Sequence, residues 1–196
     1  MPFVRGECNA AQCPLLPVPQ QDQQAPQIPR QAWADGYWQQ SRSDFDIFNK
    51  LSDVPECHRL HYLQMACEKI AKAYRLRDTS ASLDGVLNSH VAFSKFVEPF
   101  LGSAEIKKRY QGRISQLRTI TRLAKKLARE IEKLAPAVDR DRSPANAEYP
   151  WEEEGRVVVP CSYQYSSLTL LKQPAGRNFV KLIEIAIEEF EEITLS

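Results

Sequence analysis

The sequence predicts a mainly α fold: an antiparallel four- to five-helix bundle with a short β-hairpin-like insertion before the last helix. Three observations carry that prediction. Between Gln31 and Ala135 only Pro55 and Pro99 interrupt a chain whose apolar residues recur at helical intervals. A β-branched and aromatic run, RVVVPCSYQY at 156–165, stands alone in the last third. Beyond Pro174 and Gly176 a helical apolar face returns.

Residues 1–30 precede the bundle. From Pro14 to Arg30, ten of seventeen residues are Pro or Gln, which neither continues a helix nor fills a core, so an extended tail is expected. The first helix is expected over Gln31–Leu51, with Trp33, Tyr37, Trp38, Phe45 and Phe48 as its apolar content. Ser52 and Asp53 make a turn, and Pro55 stands where a first helical position tolerates it. The second helix then runs to about Arg77. Its Leu60, Leu63, Cys67, Ile70 and Tyr74 form one stripe.

A polar turn over Asp78–Gly85 leads to a third helix near Ser89–Leu101, with Ser89 as N-cap and Val91, Phe93, Phe96, Val97 and Phe100 facing the core. After Gly102 and Ser103 a long helix is expected from Ala104 to Ala135, stopped by Pro136. Residues 136–175 read as an irregular insertion with one or two short strands inside 156–165. Residues 176–196 read as a helix packing back on the bundle to about Ile193, through Phe179, Leu182, Ile183, Ala186, Ile187 and Phe190.

Composition narrows the functional classes. The formal charge is +1, from 26 Lys and Arg against 25 Asp and Glu, which excludes a uniformly basic histone-like binder. Seven Gly leave little material for a glycine-rich phosphate loop. Glu7, Asn9, Gln12 and Pro14 interrupt the opening segment, which therefore does not read as a secretory leader, and no run of 18 apolar residues exists. Five scattered cysteines favour reduced thiols and a cytoplasmic setting without a membrane partner; Cys8 and Cys13 read as thiols of the tail. No cofactor is implied, and no hydrolase triad or zinc spacing is present.

Charge position says more than net charge. Residues 105–135 hold ten Lys and Arg against three Glu. At 100° per residue, Arg118, Arg122, Lys125, Lys126, Arg129 and Lys133 fall within about 100° of arc, opposite Ile114, Leu117, Ile120, Leu123, Leu127, Ile131 and Leu134. Such a stripe either attracts a phosphate backbone or meets acidic neighbours. The last helix supplies acids: Glu184, Glu188, Glu189, Glu191 and Glu192.

Other candidates are more local. His58 and His61, at i and i+3, read as a surface or dimer-facing pair rather than a metal site. The cluster of Glu148, Tyr149, Pro150 and Trp151 is either a ligand or partner contact or a staple of the insertion to the bundle. Arg177, beside a helix start, is a further candidate contact for an anion.

Within residues 31–135, Gln64, Ala66, Glu68, Lys69, Lys72 and Ala73 form the pattern Q-x-A-x-E-K-x-x-K-A. Asn88-Ser89-His90 opens the helical segment VAFSKFVEPFL, and Asp44-Phe45 supplies an acidic-aromatic pair on the first helix. These residues resemble the HEPN superfamily of small helical bundles common in bacterial defence and toxin–antitoxin systems. Many ribonucleases of that family carry Arg, four to six residues, then His, so that His moves a proton and Arg holds the phosphate. This chain departs from that pattern, since Arg75 and Arg77 precede His90 by twelve residues or more and Arg59 has no His at the required distance beyond it. The resemblance therefore implies a non-catalytic relative that binds RNA, a nucleotide or a partner protein, as a homodimer or with a partner subunit. Two alternatives stand beside it: a divergent ribonuclease using His90 or His61 with Arg75 or Arg59, and a protein–protein adaptor with no nucleic-acid role.

Overall fold

The structure, a computed structural model, describes residues 28–195. Most of the expected tail, with Cys8 and Cys13, lies outside the described residues. Helix α1 (Arg30–Lys50) and helix α2 (Glu56–Arg77) form an antiparallel hairpin. Arg30 reaches the Leu76 and Asp78 carbonyls at one end, both at 2.9 Å, and Arg59 lies over the Phe48 ring at the other. Small residues let the axes approach at mid-length, where fully buried Ser41 donates from Oγ to the Ala66 carbonyl at 2.8 Å. The whole stripe expected on the second helix is buried: Leu60, Leu63, Cys67, Ile70 and Tyr74.

The chain then departs from the expected boundaries. Asp78–Gly85 is not all turn, because a short helix α3 (Leu83–Leu87) forms there, capped by Ser82 Oγ, which accepts from the Gly85 amide. Helix α4 (Phe93–Gly102) starts four residues beyond Ser89, which is not its cap. Its flanking Ala92 has no capping side chain. Instead Glu132, from a distant helix, accepts the Ser94 amide at 2.8 Å, so one of the orphan donors of the first turn is satisfied across the core. Val91 consequently stays outside the helix and is exposed, while Phe93, Phe96, Val97 and Phe100 are buried.

The expected long helix is two helices, α5 (Ala104–Arg109) and α6 (Ile114–Glu132). They are separated by a turn at Tyr110–Arg113 in which Gly112 takes φ +78°. That backbone region is open to glycine at no steric cost, so the break sits where the one glycine of 104–135 stands. Ile114 now opens α6 and is exposed, whereas Ile120, Leu127, Ile131 and Leu134 are buried.

The expected hairpin forms, with one strand inside 156–165 and its partner just before that run. Strand β1 (Trp151–Glu153) pairs antiparallel with β2 (Arg156–Val158), in register Trp151 to Val158 and Glu153 to Arg156. The loop is two residues, Glu154 and Gly155, both at positive φ, as the twist of a tight hairpin requires. The rest of 156–165 passes into a 3-10 turn (Pro160–Ser162), followed by a 3-10 segment (Ser166–Lys172).

Helix α7 (Pro174–Glu188) then packs back on the bundle, with its entire expected apolar face buried. It ends five residues before Ile193. Trp38 Nε1 donates to the Ile187 carbonyl at 2.7 Å, and the Tyr74 hydroxyl to that of Ala186 at 3.1 Å. Arg77 bonds the Phe190 carbonyl and that of Ile193. Side chains of α1 and α2 therefore cap the last turn of α7, and Arg77 brings a cation to its negative end. The acids on the last turns are tolerated for that reason.

Candidate nucleic-acid interface

Among the described residues nothing covers the basic stripe. Arg118, Arg122, Lys126 and Arg129 are exposed on α6 and make no ion pair or side-chain hydrogen bond among the described residues. Lys125 pairs with Glu98 of α4 at 2.6 Å, and Lys133 with Glu130 of its own helix at 3.0 Å. Both are partly exposed pairs that stabilise little and leave the cations accessible. From Arg118 to Lys133 the stripe runs about 22 Å along the axis. At its N-terminal end Ile114 and Leu117 flank Arg118, Thr121, Arg122 and Lys125 in a shallow groove of about 410 Å³.

The acidic end of α7 does not cover this stripe. Glu189 pairs with Arg109 on α5, and Glu184 with Lys181 one turn back. Glu188, Glu191 and Glu192 are exposed and unpaired among the described residues. The helix packed beside the stripe is α4, and its contribution is one carboxylate, Glu98.

The residues that carry the family resemblance have structural work in this bundle. Asp44 of α1, buried, accepts from Gln40 Nε2 at 3.0 Å and from Lys69 Nζ at 2.5 Å. Glu68 accepts from Gln64 at 2.9 Å and from Lys72 at 2.9 Å, with His90 Nδ1 at 3.4 Å. Lys72, almost fully buried, also donates to the Leu87 carbonyl at 3.0 Å and lies over the Tyr37 ring. This ladder ties α1 to α2, and α2 to the segment around α3. Ala66 and Ala73 are fully buried beneath it.

The histidines do not converge. His61 Nδ1 lies 3.4 Å from Glu148 Oε1, within ion-pair range but without hydrogen-bond alignment, and His90 faces Glu68 instead. His58 is exposed. Arg59 is spent on Phe48, and Arg75 sits near the other end of α2. No group of three His, Cys, Asp or Glu suited to a metal occurs among the described residues.

The Glu148–Trp151 cluster divides. Trp151 is buried and meets Tyr163 edge-on at 4.9 Å, while Tyr163 meets Tyr165 at 5.1 Å. The Tyr165 hydroxyl donates to the Asn146 carbonyl at 2.8 Å, and Asn146 Oδ1 accepts the Glu148 and Tyr149 amides. Trp151 thus packs within the insertion, which Tyr165 anchors in the core, while Glu148, Tyr149 and Pro150 are exposed, with Glu148 facing His61 of α2. Arg177 donates to the Lys172 carbonyl at 3.3 Å and borders a cleft of about 350 Å³ with Arg59 and Lys172, where Glu56 already pairs with Lys172.

No family model, curated protein or solved structure matches this chain. No helix among the described residues is long and apolar enough to cross a membrane. The site assignments therefore rest on geometry. The sequence reading missed one feature, a cavity of about 550 Å³ where the end of α2, the middle of α4 and Thr194-Leu195 meet. Arg75 and Lys95 line it; sequence offers Arg75 only as a partner for a catalytic histidine and gives no sign of Lys95, since the two sit on different helices.

Burial sets the acid–base character of several groups. It pushes the Cys67 thiol and the Tyr74 phenol well up, both being closed into the core. It also raises Glu132, against the Ser94 hydrogen bond and Lys95, which act in the other direction. Cys57, Cys67 and Cys161 are free thiols.

Proposed function

We propose that this protein is a non-catalytic, HEPN-like RNA-binding protein that grips phosphates through the outer face of α6. The observation that carries the reading is the stripe itself: among the described residues Arg118, Arg122, Lys126 and Arg129 are exposed and unpaired, although most of the chain's 25 acidic residues lie among them. Paired cations elsewhere, such as Lys69, Lys72 and Lys172, show that this sequence neutralises charge where structure needs it. The Gln64–Ala73 motif supports the family relationship, and with it a role in bacterial defence or a toxin–antitoxin pair. Free thiols at Cys57, Cys67 and Cys161 support a cytoplasmic setting. The same family reading carries with it a homodimer or a partner subunit.

Fluorescence anisotropy of a labelled oligouridylate between about 50 and 200 mM salt tests the reading. Four to six phosphate contacts give a slope of log K against log salt of about −3 to −4 for a single strand. Replacing Arg118, Arg122 and Arg129 by Gln together lowers the slope magnitude by about 2. Binding without salt dependence, or binding indifferent to the triple replacement, refutes the interface and leaves the adaptor alternative. Cleavage of the RNA that disappears in His90→Ala or His61→Ala refutes the non-catalytic part.

A further inference from the structure

The cavity at the C-terminal end of α2 has the composition of a ligand site and belongs to neither the stripe nor the polar ladder. Its volume, about 550 Å³, falls among small-molecule sites. Its floor is apolar and rigid. Tyr74 and Phe96 pack with ring centroids 5.0 Å apart, and Tyr74 is further held by Phe190 at 5.0 Å and by its hydroxyl bond to Ala186. Ala71 and Pro99 complete the apolar wall.

Its charged groups are unevenly occupied. Arg77 is committed to the Phe190 and Ile193 carbonyls and to the Phe190 ring. Asp78 is committed to Ser80, whose amide and hydroxyl both donate to Oδ1, at 2.9 and 2.7 Å. The α2-end carbonyls of Leu76 and Asp78, which would repel an anion, are covered by Arg30. What remains are Arg75 and Lys95, two cations on opposite helices without a hydrogen bond or ion pair among the described residues, with the hydroxyl-bearing Thr79 and Thr194 beside them.

We propose that this cavity binds a small organic anion: a carboxylate, sulfonate or phosphate monoester carried on an aromatic or branched apolar body. The body lies against Pro99 and Leu195, above the buried Tyr74 and Phe96. The anionic group is held between the half-buried Arg75 guanidinium and the exposed Lys95 ammonium, each giving it a charge-assisted hydrogen bond. Its lining comes from the end of α2, from α4 and from residues 194–195, with none from α6, so this site is separate from the stripe.

Titration with 8-anilinonaphthalene-1-sulfonate, an apolar ring system bearing one sulfonate, tests the proposal. Saturable one-to-one binding is expected, displaced by phenyl phosphate and benzoate but not by phenol. The double variant Arg75→Gln, Lys95→Gln weakens it about tenfold or more, as loss of hydrogen bonds to a charged group does. Thr79→Trp, which narrows the mouth without touching the core, weakens it too, and Arg118→Glu with Arg122→Glu leaves it unchanged. Amide chemical-shift changes on adding phenyl phosphate to the wild-type protein are expected at residues 71–79, 95–99 and 194–195. Unsaturable binding, equal displacement by phenol, shifts confined to other residues, or binding within twofold of wild type in the folded double variant each overturns it.

Discussion

Two glycine-to-alanine changes, chemically identical, are expected to move stability in opposite directions. Gly176 lies in the first turn of α7, where a Cβ would stand 2.2 Å from the Leu170 carbonyl oxygen and 2.4 Å from Leu171 Cα. Those atoms are backbone, so no side chain can swing aside. The contact is about 1 Å inside the separation at which non-bonded carbons attract, and α7 or the Ser166–Lys172 segment must shift. Overpacking of this kind costs about 1–3 kcal/mol, and two opposed backbones place Gly176→Ala at the upper end even after the helical preference of Ala is credited. Gly36, in the middle of α1, has nothing within 4 Å of its Cβ position. Gly36→Ala is therefore expected to stabilise by about 0.4–1 kcal/mol through the unfolded chain and helix propensity. In a domain of this size the pair translates to a Tm lowered by roughly 6–12 °C for Gly176→Ala and raised by a few degrees for Gly36→Ala. Urea unfolding with equal m-values measures both. A loss at Gly176 below about 0.5 kcal/mol would show that the close approach of α7 to the 3-10 segment is not as described.

Other perturbations address the buried polar groups. Glu132, its carboxyl raised by burial, binds more protons folded than unfolded between the ordinary glutamate range and its raised value. Stability should fall as pH rises through that window, and Glu132→Gln, still able to accept the Ser94 amide, should flatten the fall; urea midpoints between about pH 4 and pH 7 check this. Asp44→Ala leaves Lys69 with no carboxylate at a site only 16% exposed, and is expected to cost about 2–4 kcal/mol, while Asp44→Leu with Lys69→Met recovers most of it in the same assay.

The parts of this molecule that were legible in sequence are those whose determinants lie within one element. The stripe on α2 and the face of α7 follow from spacing alone, because burial of every third or fourth residue is a property of the helix itself. The α6 cations are legible for the same reason. Boundaries fail where a distant group decides them. Ser82 and Ser89 offer equal capping chemistry in sequence, yet α4 begins at Phe93 because Glu132, on another helix, supplies the acceptor for its first turn. The break inside 104–135 had a local sign in Gly112, but apolar periodicity continues across it. The hairpin had one as well in Glu154-Gly155, beside strand residues, Trp151–Glu153, that carry two acids and little β propensity.

Charge follows the same division. The sign and arc of the α6 stripe are local, whereas its openness depends on where every carboxylate ends up. The acids of α7 are kept from it by the caps that fix the end of that helix. Trp38, Tyr74 and Arg77 draw the last turn of α7 onto α1 and α2, which directs Glu189 to Arg109 instead. Arg77 then also forms one wall of the cavity, where Arg75, two residues away, is left unpaired. The same α2 terminus thus keeps the acidic tail off the stripe and frames the cavity proposed to take an anion. The two basic surfaces are consequently set apart by a structural contact, so Arg77→Leu should disturb both while changes within either surface leave the other intact. That asymmetry is measurable as coupled loss of sulfonate and oligouridylate binding in Arg77→Leu, and uncoupled loss in the Arg75 and Arg118 variants.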